Sequence, residues 1–324
     1  MIKNTPRRHL IVATLALAFA GWSHAQAYPN KPLTMVVPFP PGGAADITAR
    51  LVAKGMADLM GQPVVVDNKP GASGIIGAEF MLARPADGYT LLLASNSVTT
   101  FKWLYPNVSF DPVKDFRGIA IALQSPYMAV VGDKFQGSEI ADLIRAAKDH
   151  PGKIDYATAG NGTGPHLFAE MFKQATGTFM TGIPYRGSAP ALTAVMSGEV
   201  PVYFDILLSS QPFLSSGRLK SLGVSSKERV PQFPNVKTFA EQGIKGLEIS
   251  AWFGVVVKSG TPEPVIQALS QAMNKVVRSA PFVTRAGELG ATAVGGTPES
   301  FQATIADETA AWGRLIKEKN IRVD

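Results

Sequence analysis

The side chains that most often perform catalysis are scarce in this sequence. Cysteine is absent and histidine occurs only four times, which excludes thiol nucleophiles, zinc–thiolate sites and iron–sulfur clusters. A phosphate loop needs a glycine run ending in Gly-Lys-Ser/Thr. Neither that motif nor Gly-x-Ser-x-Gly or His-Glu-x-x-His is present. We therefore predict that the chain is not an enzyme and has no cofactor or metal site.

Three glycine-rich loops, each followed by a predicted helix, could bind a ligand. They lie at 40–44, 160–164 and 186–188. A helix start presents unpaired backbone N–H groups and a partial positive charge, and glycine lets a ligand oxygen approach the backbone closely. Such loops can hold an anion without any charged side chain. We predict a small carboxylate as the ligand; the alternative is that the glycines serve turn geometry alone.

The loop at 160–164 also approaches a dinucleotide-binding fingerprint. Its last glycine, however, comes one residue too early, and Pro165 occupies the expected position. We therefore favour anion binding by the backbone over a nicotinamide cofactor.

Several polar side chains near these loops have two possible roles. Asp205 follows an apolar run and could accept a hydrogen bond from a ligand or cap the next helix. Arg186 could pair with a ligand carboxylate or point into solvent. His166 could donate a hydrogen bond near the cleft, and this is favoured over a general base. The predicted ligand-binding residues are Phe39, Pro41, Gly42, Gly43, Ala44, Asp46, Ser95, Asn96, Asn161, Gly162, Thr163, Gly164, His166, Arg186, Gly187, Ser188 and Asp205.

The elements that must position these residues alternate between apolar β-rich runs and helical patterns, which is typical of an α/β fold with mainly parallel sheets. The predicted strands are 33–39, 64–67, 90–94, 117–123, 127–131, 155–158, 182–185, 202–204, 219–224 and 249–257. The predicted helices are 45–60, 73–84, 138–149, 164–176, 188–198, 209–216, 262–279 and 298–319.

Ten strands exceed what one compact sheet normally holds, so we predict two lobes with a ligand cleft at their seam. The first lobe comprises 28–123 plus 250–324 and the second comprises 124–249. The adjacent strands 117–123 and 127–131 would carry the chain across, and the strand 249–257 would bring it back.

The first 27 residues have the pattern of a secretory signal peptide. Lys3, Arg7 and Arg8 precede an apolar stretch at 10–22, and small residues follow at 23–27. We therefore predict export to the periplasm; an uncleaved membrane anchor is the less favoured alternative, since the stretch is short for a bilayer span. Removing these three basic residues from 31 leaves 28 against 25 acidic residues. This small excess does not indicate nucleic-acid binding.

Four segments of the chain resemble the periplasmic solute-binding receptors of the tripartite tricarboxylate transporter family, also called the Bug family. The segments are 28–50, 64–95, 162–172 and 184–205. They include "VVPFPPGGAADITAR", "GTGPHLFAEMF" and "PYRGSAPALTAVMSGEVPVYFD". The resemblance implies a two-lobed type II binding-protein fold joined by two crossover strands, which closes around a small carboxylate. For this chain it points to 41–46 as the main carboxylate loop, assisted by Ser95, Asn96, 161–164 and Asp205.

The same resemblance implies a partner and leaves the use of the ligand open. The ligand would be a di- or tricarboxylate, an aromatic acid or an amino acid, delivered to a two-subunit membrane permease. A receptor that passes its ligand to a sensor kinase is the alternative, and a periplasmic hydrolase is a more distant one. The family often has lysine at the position of Arg186, and this change keeps the charge but offers a bidentate fork.

Overall fold

A computed structural model describes residues 28–318 and residue 321 of the chain. The predicted signal peptide lies outside the described residues. Within them, every helix is too short or too polar to cross a membrane.

The described part of the chain contains ten strands, eleven α-helices and two short 3-10 helices at 72–74 and 96–99. The strands are β1 (Leu33–Val37), β2 (Val64–Asn68), β3 (Thr90–Ser95), β4 (Phe116–Val131), β5 (Asp155–Thr158), β6 (Thr181–Pro184), β7 (Val202–Ile206), β8 (Lys220–Val224), β9 (Ser250–Lys258) and β10 (Thr292–Gly295). The helices are α1 (Ala44–Met60), α2 (Ile75–Leu82), α3 (Phe101–Leu104), α4 (Pro112–Asp115), α5 (Ile140–Asp149), α6 (Gly164–Thr176), α7 (Ser188–Ser197), α8 (Leu207–Ser215), α9 (Glu263–Arg278), α10 (Ala280–Glu288) and α11 (Pro298–Glu318).

Two groups of three parallel strands form the centres of two lobes. In the first lobe the order is β2-β1-β3, and in the second it is β6-β5-β7. Parallel strands of one group end at the same edge of their sheet, so the loops that follow β1 and β3 lie together, as do those that follow β5, β6 and β7. This arrangement places the three glycine-rich loops at the carboxyl edges of the two groups.

Antiparallel strands connect the two groups and make the sheet mixed. The first eleven residues of β4, 116–126, pair with β9, and the last five, 127–131, pair with β7 and β8. Strand β9 also pairs with β3. The hydrogen-bonded ladder is therefore continuous from one lobe to the other, and β4 changes partners between Pro126 and Tyr127.

Two serine side chains form hydrogen bonds at this crossing point. Ser225 Oγ donates to the carbonyl of Ile249 at 2.6 Å and accepts the N–H of Tyr127 at 2.8 Å. Ser125 Oγ accepts the N–H of Leu208 at 3.1 Å. The backbone groups freed where the ladder changes partners are thus paired with buried side chains, as buried polar groups require.

The core of the second lobe centres on aromatic rings from different elements. Tyr127 of β4 stacks on Phe168 of α6, with ring centroids 4.8 Å apart. Phe172, one turn further along α6, contacts both Phe204 and Phe239. Because α6 presents these rings at helical spacing, its start is held firmly at the edge of the sheet.

Most predicted elements are confirmed, and the differences have local causes. The predicted strands 117–123 and 127–131 are one strand, β4, because Pro126 lies where the ladder changes partners and its missing N–H costs little. Two short helices, α3 and α4, lie between β3 and β4, where no element was predicted. Helix α10 and strand β10 were not predicted. Helix α10 begins with a Ser279 cap and a proline, a helix start that was overlooked.

Helix α11 places a carboxyl group against the crossover strand β9. Trp252 Nε1 donates to Glu308 Oε1 at 2.9 Å, whereas the buried Glu308 Oε2 has no partner among the described residues. Burial raises the pKa of Glu308 to about 7, against the opposing effect of the hydrogen bond from Trp252. The charged form is therefore disfavoured in the folded state.

We expect Glu308→Gln to stabilise the protein at about pH 8 and to have little effect at about pH 5. The folded-state pKa is raised, so the stability that Glu308 contributes is present at low pH and is lost as pH rises through about 7. Glutamine keeps an acceptor for Trp252 without the charge. Because the side chain is partly exposed, a gain of only about 1–2 kcal/mol in the free energy of unfolding is expected at the higher pH.

Urea denaturation at both pH values measures this difference. The matched control is Asp307→Asn, which removes an exposed carboxylate from the same helix and should change the free energy of unfolding by less than about 0.5 kcal/mol. An equal effect of Glu308→Gln at both pH values would contradict the assignment.

Candidate functional site

The starts of α1, α6 and α7 meet between the lobes. A methyl group placed on Gly43, before α1, would lie 3.7 Å from Ser188 Cβ and 3.9 Å from the backbone nitrogen of Ser188, the first residue of α7. Helices α1 and α7 belong to different lobes. Two helix ends with partial positive charge therefore face each other across the cleft.

These three helix starts have no side-chain caps. The residues before them, Gly43, Thr163 and Gly187, make no capping hydrogen bond to the first turn. Side chains usually satisfy some of the free N–H groups at a helix start. Here those donors are left for another partner.

The helix starts surround an inner cavity of about 40 Å³. This volume has room for a few water-sized groups, about the scale of one carboxylate. Main-chain segments from α1, β3, α6 and α7 form its walls, and Phe253 of β9 forms part of its base. The lining residues are Phe39, Pro40, Gly43, Ala44, Ala45, Ser95, Asn96, Ser97, Ala159, Thr163, Gly164, Pro165, Gly187, Ser188, Ala189, Ile206 and Phe253.

A wider outer cavity of about 690 Å³ adjoins the inner one. Phe39, Pro40, Ala159 and Gly187 line both cavities and so form the neck between them. Its other walls come from the loops 70–74, 104–106 and 184–186 and from residues 160 and 161. Arg186 lines this outer cavity and is exposed to solvent.

The structure brings eleven of the predicted site residues to the two cavities. They are Phe39, Gly43, Ala44, Ser95, Asn96, Asn161, Thr163, Gly164, Arg186, Gly187 and Ser188. Six others, namely Pro41, Gly42, Asp46, Gly162, His166 and Asp205, line neither cavity. Among the lining residues that the sequence analysis missed are Ile206, which ends β7, Phe253, which lies within β9, and Tyr105, whose segment gave no signal.

Asp46 faces its own loop rather than a cavity. Its Oδ2 accepts the N–H of Gly42 at 3.0 Å and Arg50 Nε at 2.9 Å, and its Oδ1 accepts Asn68 Nδ2 at 3.0 Å. Burial alone would raise the pKa of Asp46, but the hydrogen bonds from Arg50, Gly42 and Asn68 outweigh it and lower the pKa below its ordinary value. The charged carboxylate therefore fixes the turn that precedes α1.

His166 holds the second loop in a similar way. It is buried, and its Nδ1 accepts the N–H of Gly162 at 3.2 Å. Burial lowers the pKa of His166, so the ring is neutral at pH 7. Accepting at Nδ1 places the ring proton on Nε2, which lies 4.0 Å from Glu170 Oε1.

Asp205 is fully buried one layer behind the inner cavity. Its Oδ2 accepts Ser209 Oγ at 2.7 Å and Ser210 Oγ at 2.6 Å, while Oδ1 has no partner among the described side chains. Burial raises the pKa of Asp205, and the two serine hydrogen bonds only partly offset this. In front of it, Tyr203 OH lies 3.0 Å from the hydroxyl of Ser188, which lines the inner cavity.

Hydrogen bonds cross the cleft at its rim. Tyr105 OH, from the segment after β3, donates to the carbonyl of Asn161 in the second lobe at 2.6 Å. Thr100 Oγ1 lies 3.1 Å from the carbonyl of Gly162. These contacts join the two lobes, so the arrangement is a closed one.

The chain has two lobes with central parallel strands, which crossover strands join. The lobes close over a cavity lined by helix starts. This architecture is that of a two-lobed solute-binding protein of the periplasmic type. The chain belongs to the tripartite tricarboxylate transporter receptor family, whose sequence profile matches residues 48–321. This family consists of substrate-binding receptors, in agreement with the prediction that the chain is not an enzyme.

Relatives cover nearly the whole chain. The protein BugT of Bordetella pertussis is 34% identical over 321 residues, which are 98% of this chain and 98% of BugT. The structure of the periplasmic binding protein BugD has a TM-score of 0.87 at 33% identity and covers 91% of this chain and 99% of BugD. The predicted two-lobed fold and the Bug family assignment are thereby confirmed.

Two similar structures contain a bound acid. Rpa4515 of R. palustris, solved with adipate, has a TM-score of 0.88 at 33% identity and covers 91% of this chain and 99% of its own. MatC of Rhodopseudomonas palustris, solved with malate, has a TM-score of 0.85 at 28% identity and covers 89% of this chain and 100% of its own.

We expect Gly164→Ala to destabilise the closed site. A methyl group at Gly164 would lie within van der Waals overlap of Tyr127 OH and 3.1 Å from Asn96 Oδ1. These two side chains are buried and bonded to each other, with Asn96 Nδ2 donating to Tyr127 OH at 3.0 Å. The overlap should lower the free energy of unfolding by about 1–3 kcal/mol, measured by urea denaturation.

Gly287→Ala is the control, since a methyl group there would meet no atom within 4 Å. We expect it to be neutral or slightly stabilising, because alanine is favoured over glycine within helix α10. Equal stability of the two variants would show that Gly164 tolerates a side chain.

Proposed function

We propose that this protein is a periplasmic receptor that captures a small carboxylate in the inner cavity and delivers it to a two-subunit membrane permease. The observation that carries the proposal is the meeting of three uncapped helix starts around a cavity of carboxylate size. The family description, a transporter receptor, supports delivery to a permease.

The electrostatics of the inner cavity favour an anion. No acidic side chain lines it among the described residues, and its polar groups are hydroxyls, one amide and backbone N–H groups. A buried carboxylate is costly unless most of its lone pairs find donors. Uncapped helix starts provide such donors, and their partial positive charges stabilise a negative ligand without a salt bridge.

The bound acids of the relatives support the same ligand class. One similar structure was solved with adipate and another with malate, and both are dicarboxylates. The two structures match 91% and 89% of this chain, with TM-scores of 0.88 and 0.85. We infer a carboxylate ligand for this chain on that basis.

Closure of the lobes is the proposed working cycle. We propose that residues 28–123 with 250–324 and residues 124–249 move as two bodies about the crossing point. A ligand shifts the population toward the closed form only to the extent that it binds that form more tightly. The carboxylate does so because it neutralises the facing helix ends of α1 and α7, which belong to different lobes.

Titration calorimetry against a panel of mono-, di- and tricarboxylates tests the proposal. At least one acid should bind with a dissociation constant of roughly micromolar or lower, and its neutral methyl ester should not bind, because an ester lacks the charge that the helix ends stabilise. Absence of binding for every acid would falsify the proposed function.

We expect Tyr105→Phe to weaken ligand binding by about three- to tenfold. The variant loses the hydrogen bond from Tyr105 OH to the carbonyl of Asn161, which crosses between the lobes, together with a contact of 3.1 Å to Ser73 Oγ within the first lobe. A neutral hydrogen bond contributes about 1 kcal/mol, and this loss would fall on the closed state. The affinity for whichever acid the panel identifies measures the effect.

Tyr185→Phe is the matched control. Tyr185 also lines the outer cavity, but its hydroxyl donates to Glu199 within the same lobe, at 2.7 Å. It should leave the affinity within about twofold of the unaltered protein, since its bond is independent of closure. Equal weakening by both variants would argue against the interlobe role of Tyr105.

A further inference from the structure

The two cavities differ in charge. Among the described residues that line them, Arg186 is the one charged side chain, and it lies in the outer cavity. It forms no ion pair with any described residue. A guanidinium in a cleft without an acidic partner favours an anionic group of a ligand.

The neck between the cavities is narrow and largely apolar. Phe39 and Pro40 of the first lobe form one side of the neck, and Ala159 and Gly187 of the second lobe form the other. A methyl group on Gly187 would lie 3.0 Å from Pro40 Cδ, so the lobes nearly touch there. A ligand that spans the neck must therefore be slim and uncharged at that point.

Two residues that are close in sequence line the two different cavities. Ser188 begins α7 at the inner cavity and Arg186 precedes it by two residues, so their Cα atoms are at most about 7 Å apart. A ligand of a few bonds can thus reach both the uncapped helix starts and the guanidinium. A compact, branched acid cannot, because the inner cavity of about 40 Å³ has room for about one carboxylate and the other carboxylates would stay close beside it.

We propose that the ligand is an unbranched dicarboxylate, with one carboxylate in the inner cavity and the other bound by Arg186 in the outer cavity. This inference rests on the proposed function, since it assumes that the inner cavity holds a carboxylate. Arg186 is then the residue that distinguishes dicarboxylates from monocarboxylates. The methylene chain between the acids lies against Phe39 and Pro40.

Matched acids provide the test. The linear dicarboxylates from succinate to pimelate are compared by calorimetry with the monocarboxylates from butyrate to heptanoate, which have the same carbon counts. We expect the best dicarboxylate to bind about three- to fivefold more tightly than its monocarboxylate partner, the upper scale of a solvent-exposed charge pair. Citrate, which is branched, should bind more weakly than that dicarboxylate.

Arg186→Gln should abolish this preference. We expect its affinity for the dicarboxylate to fall to that of the monocarboxylate, while the monocarboxylate affinity changes by less than about twofold. Arg218→Gln is the control, because it removes the same charge from an exposed residue that lines neither cavity.

The outcomes distinguish a failure of this inference alone from a failure of the proposed function. If monocarboxylates bind as tightly as dicarboxylates, or if Arg186→Gln preserves the preference, the inference is wrong and the proposed function stands. If the unaltered protein binds none of the acids, both fail. The comparison of acids on the unaltered protein needs no variant, so it decides the question even if a variant folds poorly.

Discussion

The repulsion between two helix starts is the constraint on which this structure depends. Helices α1 and α7 belong to different lobes, yet Gly43 and Ser188 approach within van der Waals distance and neither helix has a side-chain cap. Bringing like partial charges together in a site shielded from water costs free energy. Packing and rim hydrogen bonds must oppose that cost, and an anion at the same point removes it. In the proposed function, ligand affinity and lobe closure are therefore two aspects of one electrostatic interaction.

Two ionisable groups of the site, Asp46 and His166, act on its loops instead of on its cavities. Asp46 fixes the turn before α1 through Gly42 and Asn68, and neutral His166 fixes the loop before α6 through Gly162. Backbone donors are useful only when they are held in place, because a mobile loop would lose its entropy on binding. These buried side chains supply that rigidity in advance. These side chains thus organise the backbone, and the backbone N–H groups are left for the proposed carboxylate.

Local patterns made much of this structure predictable, and tertiary contacts account for the rest. The glycine-rich loops and the helices after them could be read from neighbouring residues, as could the strands that precede them. The orientation of Asp46, His166 and Asp205 could not, since it depends on partners such as Asn68 that lie elsewhere in the chain. Tyr105 gave no signal because its role arises from a contact with Asn161, 56 positions away. Continuity of β4 through Pro126 was missed because that proline needs no ladder hydrogen bond at the point where partners change.

The place of β9 in the sheet has a consequence for how the chain is made. This strand lies between β3 and β4, yet in sequence it follows the whole second lobe. The first lobe cannot complete its sheet until about four-fifths of the polypeptide has left the ribosome. Pairings between such distant segments form slowly. A nascent chain with this topology stays unfolded for longer than one with local pairings, and such a delay would suit the export that the sequence predicts.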